Sequence, residues 1–290
     1  MRVGGFGLVT LAAILWGISG GLGGFLMDKG WDPLVISFYR GTVGLLCILI
    51  WFLFQPTRWN KPLLFWSIVA GVGVAGNFIF YFVSISEASI AVAATLMYTA
   101  PVFVLLISFI LRLEQGSLFK WLAIGLVMAG VVLLTEVYSI GSDSITMLGL
   151  GAGLGAGVSY ALFIFGFKNA SRHGQPQGIL TIAFLAFTII TMFFTDRSEA
   201  VSLFNSPDLL WMILLGILGA GLSFFLYVVG LKRTSPTSAS IIAMVEPVTA
   251  SLFGFIVLSE LLTATQLGGM AIILVTVTIL GVKQSRKSNS

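Results

Sequence analysis

The chain has 290 residues, of which 58% are hydrophobic and only 9% charged, and its mean hydropathy is +1.06. Soluble domains carry about 25% charged residues, so most of this surface is not built for water. At roughly 20 apolar residues per crossing, the length allows about ten membrane spans and leaves little for a soluble domain. The net charge of +4 does not indicate nucleic acid, because the basic residues sit between apolar segments, where they orient the chain in a membrane. Cys47, in an apolar run, is the only cysteine; a disulfide within the chain, a cysteine-based zinc site and a redox pair are excluded.

The first apolar stretch follows Arg2. It is too long for a signal peptide and lacks an A-x-A-like site, which predicts a retained first helix. Apolar runs separated by charge or turn residues then predict spans over 6–27, 33–54, 63–86, 89–111, 118–138, 147–167, 178–195, 208–231, 235–259 and 264–283. No window alternates with period two, which argues against an outer-membrane barrel. Pro33, Pro62 and Pro236 lie at or near first-turn positions, where a missing N–H costs little. Thr263-Ala264-Thr265-Gln266 reads as a capping box, and the tail from Lys283 to Ser290 as frayed.

The basic residues predict the orientation. With the N-terminus inside, Arg2, Arg58, Lys61, Arg112, Lys120, Lys168, Arg172, Lys232, Arg233, Lys283, Arg286 and Lys287 face the cytoplasm, and only Lys29 and Arg197 face out. Both termini are then cytoplasmic. At an offset of 146 residues, Gly73 matches Gly219, Tyr81 matches Tyr227, Ser89 matches Ser235 and Ala93 matches Ala239. Pro101-Val102 matches Pro247-Val248, and Glu114 matches Glu260. Ser117 and Thr263 become equivalent helix caps. Two repeats, 1–142 and 143–290, each with five spans, must enter the membrane opposite ways up. Inverted repeats of this kind let secondary transporters alternate access around a central site, although duplication also simply builds a stable bundle.

Two ionisable residues fall within spans. Arg40, beside Tyr39, either contacts substrate or serves the architecture by snorkelling or pairing. Glu246 precedes Pro247, which leaves the carbonyl of Ala243 without its helical partner; a carboxylate there suits a cation, an ammonium or a proton, or else locks the bundle. Its counterpart in the first repeat is Ala100 before Pro101. Trp16, Asn77, Tyr81, Tyr98, Tyr160, Ser223 and Tyr227 recur at mid-depth, with Asn77/Tyr81 and Ser223/Tyr227 at the same helical spacing. Aromatics with a few polar groups suit amino acids, aromatic metabolites or organic cations.

Gly17/Gly21, Gly20/Gly24, Gly151/Gly155 and Gly153/Gly157 predict close helix approach. Gly71 to Gly76 matches G-x-G-x-x-G but follows no strand, so a dinucleotide site is excluded. His173, the only histidine, lies in a link and reads as solvated, which weakens an intramembrane hydrolase. No P-loop supports ATP-driven transport.

Several short motifs resemble the EamA family of the drug/metabolite transporter superfamily. They are Ala13-Ile14-Leu15-Trp16-Gly17, Phe38-Tyr39-Arg40, Tyr98-Thr99-Ala100-Pro101-Val102, Ser159-Tyr160-Ala161-Leu162 and Glu246-Pro247-Val248, with Leu113-Glu114 and Ser259-Glu260 after the fourth helix of each half. The resemblance covers about the whole chain. It implies an all-α membrane protein with ten transmembrane helices in two inverted five-helix repeats, a central cavity, and export of amino acids, metabolites or drugs across the inner membrane. Importers also belong to the family, and Arg40 and Glu246 match family positions.

The expectation is a secondary transporter and not an enzyme, with no cofactor, metal or nucleic acid. Its partners are membrane lipid and a small-molecule substrate, and it is a monomer or homodimer. Trp16, Arg40, Asn77, Tyr81, Tyr98, Tyr160, Tyr227 and Glu246 are the candidate substrate contacts. An uncoupled uniporter or pore and an intramembrane lipid-modifying enzyme are the competing readings.

Overall fold

The computed structural model describes residues 4–114, 117–141 and 145–289, with side chains to residue 283. Arg2 and the side chains of Arg286 and Lys287, used above for orientation, lie outside the described residues. Ten helical segments among the described residues are long and apolar enough to cross a membrane. The protein is an all-α membrane protein.

The first three spans are α1 (Gly5–Asp28), α2 (Pro33–Phe54) and α3 (Lys61–Glu87). Asp32 caps α2 through the amides of Leu34 and Val35, and Asn60 caps α3 through that of Leu63. The fourth span is broken into α4 (Ile90–Met97) and α5 (Ala100–Ile110), and α6 (Leu118–Thr135) is the fifth. The sixth and seventh are α7 (Met147–Ala170) and α8 (Pro176–Phe194), followed by the short α9 (Arg197–Ser202). The eighth span runs from α10 (Leu209–Gly216) through a π-helical segment, Ile217–Leu222, into α11 (Ser223–Lys232). The ninth is broken into α12 (Pro236–Ala243) and α13 (Val245–Val257), and α14 (Ala264–Asn289) is the last.

The two breaks have one cause. Pro101 and Pro247 lack an N–H and press on the carbonyl four residues back, that of Met97 or Ala243. Each helix therefore tightens before its proline: Thr99 N–H bonds Leu96 O at 3.1 Å, and Met244 N–H bonds Ile241 O at 3.1 Å. Ser89 and Ser235 cap α4 and α12 by accepting from Val92 and Ser238. Thr263 and Gln266 exchange reciprocal side-chain-to-amide bonds at 3.1 and 3.0 Å, the expected capping box.

Three local expectations need correction. Ser117 occupies the N-cap position of α6, but its hydroxyl caps no amide. The tail continues α14 as helix to Asn289, since no glycine or proline follows Gly281 to stop it. Gly17/Gly21 and Gly153/Gly157 do meet neighbouring helices, whereas Gly20, Gly24 and Gly151 have open space where a Cβ would lie. Of the last three, Gly20 borders the internal cavity.

Glycine contacts set the packing of the bundle. Gly73 and Gly166 bring the backbones of α3 and α7 together, and Gly71 brings α3 against Ala183 of α8. Asn77 Nδ2 donates to Ala156 O at 3.0 Å and Ser84 Oγ to Gly149 O at 2.8 Å, fastening the same α3–α7 pair. α1 lies against α11 and α13, α2 against α8 and the π segment, and α6 against α14. Gly130 and Gly269 meet backbone to backbone where α6 and α14 cross, so the last helix of each half packs on the other. The G-x-G-x-x-G run is interior to α3.

Candidate functional site

A cavity of about 210 Å³ lies between α1, α2, α3, α7, the eighth span and the two broken spans. Trp16, Arg40, Asn77, Tyr81, Tyr98, Tyr160 and Glu246 all border it. Tyr98 sits in the break between α4 and α5, and Glu246 in the first turn after the break between α12 and α13. The prolines thus set two helix interruptions, one carrying an aromatic and the other a carboxylate, against a single space.

Arg40 is buried and anchored on two sides. Its Nε and Nη2 donate to the carbonyl of Gly219 at 3.1 and 3.0 Å, and Nη2 also donates to Ser19 Oγ at 2.7 Å. Ser19 Oγ in turn donates to Trp16 O at 2.9 Å. The guanidinium carbon lies 5.0 Å from the centre of the Phe78 ring. A charge at bilayer depth costs about 2.5–3.5 kcal/mol on insertion scales, and hydrogen bonds to charged groups return about 1.5–3 kcal/mol each. The anchoring bonds use Nε and Nη2 and leave Nη1, with its two N–H groups, free of a protein acceptor among the described residues.

Glu246 is held lightly by comparison. Tyr160 Oη donates to its Oε2 across 3.4 Å, a long bond. No ion pair within 4.0 Å links Glu246 to Arg40 or to another cation among the described residues. The cavity therefore presents a guanidinium and a carboxyl group that form no direct ion pair with each other.

Aromatic rings close one end of the cavity. Trp16 packs on Phe224 at 4.9 Å, on Tyr227 at 4.8 Å and on Phe163 at 6.2 Å between centroids, and Tyr160 stacks on Phe163 at 4.4 Å. Phe167 and Phe184 extend the cluster behind Phe224. Tyr227 does not border the cavity as expected. It is fully buried one layer behind Trp16, and its hydroxyl has no hydrogen-bond partner among the described residues. The indole N–H of Trp16 and the hydroxyl of Ser223 likewise lack partners among the described residues. In the opposite direction the cavity reaches Gly23, Met27, Ile36 and Phe82, toward the end of the bundle that holds the α1–α2 and α3–α4 links.

Ser19, Phe78, Phe163, Phe224 and the Gly219 carbonyl belong to this site and were not selected from the sequence. Helical spacing held a signal for four of them, Phe78 included, since it precedes the chosen Tyr81 by three residues. Ser19 and Phe163 each follow a chosen aromatic by three residues, and Phe224 precedes Tyr227 by three. His173 is exposed in the α7–α8 link, and no group of three or more histidine, cysteine or acidic residues able to hold a metal occurs among the described residues.

Ten apolar helices around an internal cavity with charged and aromatic walls describe a polytopic membrane protein with the build of a carrier. The EamA-like transporter family model matches the chain twice, over residues 3–136 and 147–282. The chain belongs to that family. It is 31% identical over 272 residues to an uncharacterized transporter of Archaeoglobus fulgidus, covering 93% of this chain and 94% of the relative. It is 28% identical over 278 residues to the threonine/homoserine exporter RhtA of Escherichia coli K12, covering 90% and 84%. A solved structure at 17% identity superposes with a TM-score of 0.76 over 98% of both chains, a likeness of fold.

Proposed function

We propose that this protein is a secondary transporter that exports a small zwitterionic metabolite, an amino acid or close relative, across the plasma membrane by alternating access. The observation that carries this reading is a guanidinium and a carboxyl group that border one cavity without pairing directly. Nη1 of Arg40 is available to a substrate carboxylate, Glu246 to an ammonium group, and Trp16, Tyr81, Tyr98 and Tyr160 supply walls for the rest. The resemblance to a threonine/homoserine exporter favours the same class.

The repeats 1–142 and 143–290 are proposed to be inverted copies. Equivalent serine caps and equivalent proline breaks at the 146-residue offset support that division. With both termini in the cytoplasm, the cavity faces outward and the aromatic cluster seals the inner side. Alternating access then requires the cluster around Trp16 to part while the outer ends close.

The test is flux of labelled threonine, homoserine and other amino acids in proteoliposomes, with and without an imposed pH gradient. Uphill movement of at least one amino acid driven by the gradient is the expected result. Gradient-independent equilibration would indicate an uncoupled uniporter, and no flux of any zwitterion would remove the substrate assignment.

A further inference from the structure

A second pocket, of about 330 Å³, lies at the opposite end of α7 from the α6–α7 link, between the ends of α7 and α11. Its walls carry four cations, Lys168, Arg172, Lys232 and Arg233, and one carboxylate, Glu114. Two of these five groups have assigned partners. Lys168 Nζ donates to the carbonyls of Leu231 and Thr234 at 2.8 Å and of Lys232 at 3.3 Å, tying the end of α7 to the link that follows α11. Glu114 pairs with Lys120 and accepts from the Thr237 amide at 3.2 Å, across the end of α12.

The side chains of Arg172, Lys232 and Arg233 are exposed and form no hydrogen bond or ion pair among the described residues. A cytoplasmic excess of basic residues orients a membrane protein, but it does not require three unpaired cations to share the rim of one concave pocket. Cations near helix C-termini also complement the helix dipole, a role that Lys168 already fills with direct bonds. We propose that this pocket binds a phosphate-bearing anion, with Arg172 and Arg233 as the principal ligands and Lys232 as an additional charge. Two planar guanidinium groups suit bidentate contact with phosphate oxygens. On the proposed orientation the pocket is at the cytoplasmic ends of α7 and α11, within reach of phospholipid headgroups, and the same chemistry would accept inorganic phosphate from solution. A bound anion would bridge α7 to α11 beside the Lys168 tie, bracing this end of the bundle.

Thermal unfolding of the purified full chain tests the site without a transport assay. The probes are phosphatidylglycerol, phosphatidylcholine as a control, and inorganic phosphate against chloride at equal ionic strength. Phosphatidylglycerol at roughly a hundredfold excess over its dissociation constant should raise Tm by about 5 °C, and native mass spectrometry should show it retained. Arg172→Gln/Arg233→Gln should abolish both effects, and Arg172→Lys/Arg233→Lys should restore part of the shift. Both positions are exposed, and monodispersity on gel filtration checks that the variants fold. A shift with phosphate alone would assign the site to a soluble anion. Equal shifts in the wild type and the glutamine variant, or no shift with either anion, would overturn the proposal.

Discussion

The guanidinium of Arg40 holds the carbonyl of Gly219 with two hydrogen bonds, and Gly219 lies within the π-helical segment of the eighth span. A π turn displaces the usual backbone pairing by one residue and is a common device at functional sites. Here it meets a buried cation that needs an acceptor, so the irregular backbone and the charge answer each other. A methyl group at Gly219 would lie 2.8 Å from Arg40 Nε and 2.5 Å from Ser19 Oγ. Gly219→Ala should therefore displace Arg40, destabilise the protein by about 1–3 kcal/mol and reduce transport more than tenfold. Unfolding curves in detergent and flux in proteoliposomes measure both effects. Arg40→Lys should lose transport similarly, because an ammonium cannot keep the paired contact and still offer donors to the cavity.

Glu246 differs because, among the described residues, the only hydrogen bond to its side chain is the long one from Tyr160. A glutamine carbonyl can accept that bond, so Glu246→Gln should fold with Tm within about 3 °C of wild type. Transport should nonetheless be lost, since the neutral side chain no longer pairs with an ammonium group or carries a proton. Unchanged flux would remove Glu246 from the mechanism and return it to a packing role.

The helices were legible in the sequence to within a few residues because the apolar runs end at charges, prolines and caps, as at Asp32-Pro33 and Asn60-Lys61-Pro62. The breaks before Pro101 and Pro247 follow from the same local rule, since a missing N–H acts within one turn. What Arg40 touches was not legible, because its partner Gly219 is 179 residues away and becomes available only where α2 packs on the π segment. Tyr227 was misplaced for a related reason. Matching it to Tyr81 by offset gave the right helix but not which rings stand in front, and Trp16 takes the cavity position. The two small-residue motifs of α1 diverged too: Gly17 and Gly21 press on α13, with Gly17 also at the cavity edge, while Gly20 borders the cavity with open space beside it.

That divergence predicts opposite phenotypes for neighbouring glycines. A methyl at Gly17 would meet the Glu246 carbonyl at 2.5 Å and the Ala250 amide nitrogen at 2.9 Å, both rigid backbone. Gly17→Ala should lower stability by about 1–3 kcal/mol by forcing α1 away from α13. Gly20→Ala has space for its methyl and should leave Tm unchanged, but it narrows the cavity. Its KM should rise for the bulkiest transported substrate and much less for the smallest.

The end of the bundle carrying the α1–α2 link should have an acid-sensitive fastening. Asp208, buried before α10, pairs with Lys29 and accepts from Trp31 Nε1 at 3.0 Å. The Lys29 hydrogen bond, with that of Trp31, lowers its pKa below the ordinary value of 3.8. A carboxyl whose folded pKa is depressed contributes stability that is complete above its unfolded pKa and lost as pH falls through the folded one. The fastening should therefore be intact at pH 6 and weaken only below about pH 4. Amide-exchange protection, corrected for the intrinsic pH dependence of exchange, should fall across residues 28–32 and 205–209 in that acidic window in the wild type. Asp208→Asn should show the lower protection already at pH 6, with little further change in protection on acidification, because it can neither pair with Lys29 as an ion nor titrate. Fast exchange in the wild type at pH 6 would mean that the Lys29–Asp208 tie does not hold these links together.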